Sequence, residues 1–260
     1  MLLDIVIIVL RETLEASVLI GVLLSASRQA NSTVFWVFPG LALGSLGALV
    51  YSLNLGEISE WFDYAGQEVI NASIQYVIYA LLGVIVSLLF ADDVRKKPLL
   101  LCLMAITVGL AVIREGSELF VFYTAFLQQT GSVLQAATSG FIGLAIGMSA
   151  GAIGYYALVT QKASRARFCY ALTLTLIASG MVMQATQLLI QIDWISVSEP
   201  VWDSNWLISE PSAAGQMLYA VFGYEATPSM TEIILYIVSV FIILVLIGLS
   251  RYFFPNKHTL

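Results

Sequence analysis

The chain has 260 residues, of which 59% are hydrophobic and 11% are charged, and its mean hydropathy is +0.90. A soluble domain of this size has too little interior to hide so much apolar surface, so the composition excludes soluble classes and predicts an integral membrane protein. The net charge of −6 is less informative than the places where the charges lie, and we expect no nucleic-acid partner.

Seven apolar runs are each long enough to cross about 30 Å of hydrocarbon at about 1.5 Å per residue. They cover residues 2–24, 34–53, 69–90, 99–127, 133–160, 168–191 and 233–254. The first run has no basic n-region and is longer than the h-region of a signal peptide, so we predict a retained span. The sequence therefore predicts an all-α polytopic membrane protein, with residues 1–260 forming one membrane domain of seven transmembrane helices.

The basic residues near the span ends predict the orientation. In the seven-span interpretation all of them fall on one side, which the positive-inside rule makes cytoplasmic. They are Arg28, Arg95, Lys96, Lys97, Lys162, Arg165, Arg167, Arg251 and Lys257. The amino terminus is then outside and the carboxyl terminus inside, and the long segment 192–230 is extracytoplasmic. The outer side is acidic and without basic residues, which favours the attraction of cations. The tryptophans of segment 192–230 indicate that part of it lies along the membrane surface.

Two similar charged motifs interrupt apolar spans. The first motif is Arg-Glu-Thr-Leu-Glu at residues 11–15, and the second motif is Arg-Glu-Gly-Ser-Glu at residues 114–118. Insertion scales put a lone charge at the bilayer centre at roughly 2.5–3.5 kcal/mol, so charged residues in a span are functional candidates.

The same 103-residue offset also aligns Gly-Leu-Ala-Leu-Gly at residues 40–44 with Gly-Leu-Ala-Ile-Gly at residues 143–147. Two gap-free matches at one offset indicate a duplicated three-span unit, over residues 1–91 and 98–191. Because three is odd, the second copy enters the membrane from the opposite face. An inverted 3+3 repeat, with the seventh helix over residues 231–254 added, is typical of transporters whose site lies near the midplane. The shared glycines favour close helix packing.

Within each motif the charged side chains share one face of a helix, since they lie one, three or four residues apart. If the faces meet, four carboxylates and two guanidinium groups leave a formal charge of −2, which calls for a proton or a metal ion. The only histidine is in the tail, so oxygen ligands for a hard or borderline cation are indicated. The Glu-x-x-His pattern of di-iron enzymes is absent, and we predict no enzyme activity. The alternative is that Arg and Glu merely neutralise each other between helices.

Arg-Glu-x-x-Glu in the first and fourth of seven spans resembles the oxidase-dependent high-affinity iron permeases. Residues 222–229, Phe-Gly-Tyr-Glu-Ala-Thr-Pro-Ser, are similar to the bacterial branch, whereas Thr13 stands where many members have glycine. The resemblance implies a permease integral to the plasma membrane, the inner membrane of a bacterium. It implies iron as the transported ion rather than as a permanent cofactor. It assigns iron binding to Glu12, Glu15, Glu115 and Glu118. From their charge and spacing we predict Arg11 and Arg114 as supporting charge partners of these glutamates.

The resemblance also implies an outer relay and a partner protein. Glu57 and Glu60 form an outer Glu-x-x-Glu pair, and Glu68 begins the third span; similar positions receive iron in the family. An extracytoplasmic ferroxidase or iron-delivery protein would supply the ion. The alternatives are a permease for another cation such as lead or manganese, and a non-transporting membrane iron sensor or assembly subunit. We interpret the glutamines of the sixth span as interhelical hydrogen-bonding groups or as lining of a path. They are Gln184, Gln187 and Gln191.

Overall fold

The computed structural model describes residues 2–91, 97–130 and 132–253, which fold into ten helices. The helices are α1 (Leu2–Gln29), α2 (Val37–Leu53), α3 (Leu55–Ser59), α4 (Trp61–Tyr64), α5 (Gly66–Ala91), α6 (Lys97–Thr130), α7 (Val133–Val159), α8 (Ala163–Gln191), α9 (Ala213–Phe222) and α10 (Met230–Phe253). The predicted all-α fold is confirmed for these residues, among which extended backbone pairs only in an isolated bridge between Pro200 and Ser229. Arg95, Lys96 and Lys257, which the predicted orientation uses, lie outside the described residues.

Five of the described helices, α5, α6, α7, α8 and α10, are long and apolar enough to cross a membrane. The chain is therefore a polytopic membrane protein. The helix α1 has the length of a span but carries the charges of the first motif, and α2 is apolar but has only 17 residues. Both helices coincide with predicted spans, and the total of seven stays a prediction.

The long helices pack in pairs that are distant in sequence. The most extensive contacts join α1 with α7, α2 with α6, and α5 with α8, while α10 covers α5 and α8 from the side. Side chains from α1, α5, α6 and α8 form the main apolar core, which lies on the cytoplasmic side of the first motif in the predicted orientation. Its most buried members include Leu19, Leu23, Ile78, Ile85, Met104 and Leu174.

Glycines make the contact between α1 and α7 unusually close. A methyl group at Gly143 would lie 2.7 Å from the carbonyl oxygen of Val6 and 2.9 Å from the Cβ of Val9. At Gly147 it would lie 2.8 Å from the Cβ of Thr13, inside the first motif. Small residues let two helix backbones approach in this way in a membrane, where the hydrophobic effect does not drive helix association. Gly143 and Gly147, which we call the glycine seam, therefore determine how closely α1 and the first motif approach α7.

We expect Gly143→Ala to destabilise the protein by about 1–3 kcal/mol, because the added methyl group would lie 2.7 Å from a backbone oxygen and 3.0 Å from a backbone nitrogen of α1, so the two helices would have to shift. Gly154→Ala on the same helix is the matched control, since among the described residues nothing lies within 4 Å of its added methyl group. That control should be neutral or stabilising by up to about 1 kcal/mol, as alanine favours helix. Thermal unfolding in detergent measures both, and equal effects would show that the seam does not hold α1.

The segment between α8 and α10 contains a helix that the sequence did not predict. The helix α9 packs against α1 and α8. It begins at Ser212, whose hydroxyl accepts a hydrogen bond from the amide of Gly215, and ends at Gly223, whose φ of 66° is left-handed. Such caps satisfy backbone groups that an apolar helix leaves unpaired at its ends. Trp194, Trp202 and Trp206 of the same segment are exposed.

Candidate functional site

The two motifs meet where α1 lies beside α6. Each is one turn of helix, so its arginine and its second glutamate, four residues apart, lie on the same face. Both glutamates of the first motif are buried, as are Arg114 and Glu115 of the second. Burial of this many charges is tolerable only where they pair with one another or hold an ion. The ion pair between Arg114 and Glu15 shows that the two motifs meet in the described structure.

Arg114 links the two helices. Its Nη1 lies 2.7 Å from a carboxylate oxygen of Glu15 on α1 and 2.7 Å from one of Glu115 on its own helix. Its Nε lies 3.4 Å from Glu118, one turn further along. Only 4% of its side chain is exposed, and its partners Glu15 and Glu115 are as deeply buried, whereas 23% of the Glu118 side chain is exposed. The guanidinium group neutralises part of the charge of three carboxylates at once.

Three carboxylates gather beside this arginine. Glu12, Glu115 and Glu118 each offer one oxygen, and these oxygens all lie within 4.8 Å of one another. One oxygen each of Glu12 and Glu115 is buried without a hydrogen-bond partner. Carboxylate oxygens at such separations, two of them on buried residues, are the ligand set that hard cations prefer. The group can hold a cation once the side chains draw in around it.

Glu15 is placed differently from the other three glutamates. It is the glutamate that Arg114 bridges from α1, and its second oxygen lies 3.9 Å from the Nε of Arg11. That second oxygen accepts no hydrogen bond in the described structure. In this conformation Glu15 is the partner of the arginines. Of the four glutamates that the sequence predicts as ligands, the other three form the group with metal-binding separations.

The two arginines are not equivalent, although the motifs are alike. Arg11 pairs within its own helix, its Nε 3.2 Å from Glu12, and 36% of its side chain is exposed. Its guanidinium carbon lies 5.8 Å from the centre of the Tyr219 ring on α9, within range of a cation–π contact. Both residues line a cavity of about 220 Å³. Its other lining residues are Gln187, Glu210, Gln216 and Glu225.

This cavity adjoins a second one through shared residues. Gln187 and Glu225 line both, and the second, of about 250 Å³, also contains Glu232 and Ser198. The side-chain amide of Gln187 donates a hydrogen bond to Glu225. Burial, together with the neighbouring Glu232 carboxylate, raises the pKa of Glu225 to about 8. Together the residues that line the two cavities extend from Arg11 to Val197, Ser198 and Pro200 in the segment that follows α8.

Buried amides support the second motif. Asn71 on α5 donates a hydrogen bond of 3.3 Å to Glu118 and accepts one of 3.2 Å from the hydroxyl of Tyr51 on α2. Gln184 on α8 accepts one of 3.2 Å from Arg114. Sequence reasoning missed Asn71 and Tyr51, whose only signal is a polar group inside an apolar run. The interpretation as interhelical hydrogen-bonding groups is confirmed for Gln184. Gln187 bonds instead to Glu225, in the segment between α9 and α10.

The predicted outer relay lies apart from the ligand group. Glu57 lies in α3 and Glu60 directly follows it; both are exposed, while Glu68 is half-buried in the first turn of α5. Among the described residues, the acidic group with metal-binding separations contains none of the three. The relay role of these residues stays a prediction.

Comparison with known families connects this geometry with a transport function. The sequence model described as the iron permease FTR1 family matches residues 100–256, a range that contains the second motif but not the first. The chain belongs to the iron permease FTR1 family. Comparisons with curated proteins and with solved structures give no match. FTR1 membership supports a role in iron transport across a membrane. It is consistent with the prediction of no enzyme activity.

Proposed function

We propose that this protein carries iron into the cytoplasm through a site near the membrane midplane, formed by Glu12, Glu15, Glu115 and Glu118. The observation that carries the proposal is the group of three carboxylates within 4.8 Å of one another, drawn from two helices of an FTR1-family chain. Its buried oxygens without hydrogen-bond partners offer a desolvated cation the contacts that it loses on leaving water.

The arginines stabilise the site when no iron is bound. Arg114 pairs with Glu15, Glu115 and Glu118 when no cation is bound, which avoids uncompensated buried negative charge. The same pairing limits how tightly a cation is held, because the cation must displace the guanidinium group from its partners. A transport site requires this balance, since an ion bound too tightly does not leave.

The proposed topology has seven spans, with the amino terminus outside and the carboxyl terminus inside. Contacts between the helices support an inverted repeat. In the repeat, α1, α2 and α5 correspond to α6, α7 and α8. This correspondence converts the α1–α7 contact into the α6–α2 contact and the α5–α8 contact into itself. These are the three most extensive contacts between helices. The glutamates then lie where the two copies meet, the place at which transporters of this plan bind their substrate.

The plasma membrane supplies a driving force for a cation moving inward. A trivalent ion crossing a potential of 100 mV gains about 7 kcal/mol, at about 2.3 kcal/mol for each charge. We propose that iron reaches the site from the acidic outer side, through the cavities beside Arg11 and Glu225. An extracytoplasmic ferroxidase or iron-delivery protein is the proposed partner, and Glu57, Glu60 and Glu68 are the proposed receiving residues.

Uptake of iron-55 into proteoliposomes with an inside-negative potential tests the proposal. We expect uptake by the wild-type protein and at least about a 100-fold loss in Glu115→Ala, because the variant lacks one buried ligand and leaves Arg114 with fewer partners. Uptake that is unchanged in Glu115→Ala would overturn the site. Iron binding without uptake would favour the sensor, and uptake of manganese or lead in preference to iron would favour the other permeases.

A further inference from the structure

Gln184 occupies a position that the iron site does not directly require. It lies in α8, with 2% of its surface exposed, and contacts three other elements. Its side-chain oxygen accepts hydrogen bonds from Arg114 on α6 at 3.2 Å and from Gln75 on α5 at 2.6 Å. Its side-chain nitrogen donates to the carbonyl oxygens of Tyr219 and Ala220 on α9, at 3.3 and 3.2 Å. The amide group is thus used completely.

These contacts fix the direction of the amide. The carbonyl groups on α9 only accept hydrogen bonds, so they hold the nitrogen of Gln184 on their side. The oxygen must then point toward Arg114, whose guanidinium group only donates. A flipped amide would set donor against donor and acceptor against acceptor in a buried place. The protein therefore presents a fixed neutral acceptor to the buried arginine.

A neutral acceptor is useful when a cation binds. Glu115 and Glu118 pair with Arg114 and also belong to the group that a cation would recruit. A buried guanidinium group that loses its partners is strongly disfavoured. We propose that Gln184 is a positioning residue, which holds Arg114 through its side-chain oxygen while the glutamates turn to the cation. The inference rests on the proposed function, because it assigns Gln184 a role in that same site.

The near-isosteric variant Gln184→Met removes the acceptor and keeps the volume. We expect the half-saturating iron concentration for uptake to rise about tenfold, the effect of losing one hydrogen bond to a charged group, while the maximal rate changes less than about twofold. Gln75→Met is the matched control, because Gln75 is also buried and bonds to the same oxygen, but its described side-chain hydrogen bond goes to Gln184 and not to Arg114. It should leave the half-saturating concentration unchanged, and an equal rise in both variants would overturn the inference.

A second substitution separates positioning from general damage. Gln184→Glu keeps an oxygen facing Arg114 but loses the donor that meets the carbonyl oxygens of Tyr219 and Ala220. It should therefore lower the unfolding temperature, as Gln184→Met does, while keeping the half-saturating concentration well below that of Gln184→Met. A half-saturating concentration that rises equally in the two variants would overturn the inference.

Terbium(III) binding in detergent, followed by its luminescence, provides a readout that does not depend on transport. If the wild-type protein takes up no iron, the proposed function fails, yet weaker Tb³⁺ binding in Gln184→Met than in Gln75→Met would still support the positioning role. Equal Tb³⁺ binding by the two variants, or none by the wild-type protein, would overturn it.

Discussion

Arg114→Met is expected to destabilise the cation-free protein by about 3–5 kcal/mol, the range measured when one partner of a buried ion pair is removed. Arg114 is 4% exposed and lies within 3.4 Å of Glu15, Glu115 and Glu118. Without it, these carboxylates face one another in a low-dielectric interior, where each unpaired charge is costly. Methionine fills a similar length with apolar atoms, so the loss of charge rather than a cavity dominates the change.

Arg11→Met is the control for this prediction. Arg11 has the same place in its motif, but 36% of its side chain is exposed, and its ion pairs among the described residues are with Glu12 and Glu15 of its own helix. Its replacement should cost at least about 1 kcal/mol less than that of Arg114, because solvent reaches part of its side chain and it does not join two helices. Thermal unfolding in detergent compares the two variants, and equal destabilisation would show that the buried pairs contribute no more than the exposed one.

A cation should restore part of the lost stability. A hard cation bound among the carboxylates supplies the positive charge that Arg114→Met removes, and binding to the folded state alone raises the unfolding temperature. Tb³⁺ should therefore raise the unfolding temperature of Arg114→Met by more than that of the wild-type protein, in which the cation competes with the guanidinium group. An equal rise in the two proteins would show that Arg114 and the cation do not share the same partners.

The sequence predicted the helices better than their contacts. Long apolar runs are a strong signal for membrane-spanning helices, and seven helices of the structure coincide with the predicted spans. The helix α9 was missed because its ten residues are too few to signal a span and lie within a polar segment. The glycines of α7 signalled close packing, but nothing in their spacing identified α1 as the partner. A helix face of small residues can pack closely against many other helices, so its partner depends on the packing of the whole bundle.

The charged site was predictable because its members repeat. The two motifs have the same spacing, and unpaired charges inside a span cost free energy. The sequence therefore predicted that the two motifs pair with each other or bind an ion. The surrounding residues carry no such signal. Gln184 and Tyr219 lie 70 and 105 residues from Arg114 in the chain, and each resembles an ordinary polar or aromatic residue of a membrane helix. The unequal exposure of Arg11 and Arg114 also escapes the sequence, because it arises from what covers each copy.

Replacing each of the four site glutamates by glutamine, and measuring the loss of cation affinity, should distinguish direct ligands from residues that act indirectly. Glutamine keeps the shape and one oxygen but loses the charge, so any change reports on electrostatics and ligation. We expect Glu12→Gln, Glu115→Gln and Glu118→Gln each to weaken Tb³⁺ or iron binding by about 100-fold or more. Altering a residue that only supports a metal ligand already costs about 10- to 100-fold, and these residues are the proposed ligands. These are the three residues whose oxygens lie within 4.8 Å of one another.

Glu15→Gln should weaken binding less, by about tenfold, because Glu15 acts on the cation through Arg114, which it holds at 2.7 Å. Glu57→Gln, on an exposed carboxylate of α3, should leave equilibrium binding unchanged. A loss at Glu57 equal to that at Glu115 would move the site to the outer surface. A loss at Glu15 equal to the other three would mean that Arg114 releases it when the cation binds, so that all four glutamates become ligands. The series thus separates a site of three carboxylates with a guarded fourth from a symmetric site in which the two motifs contribute equally.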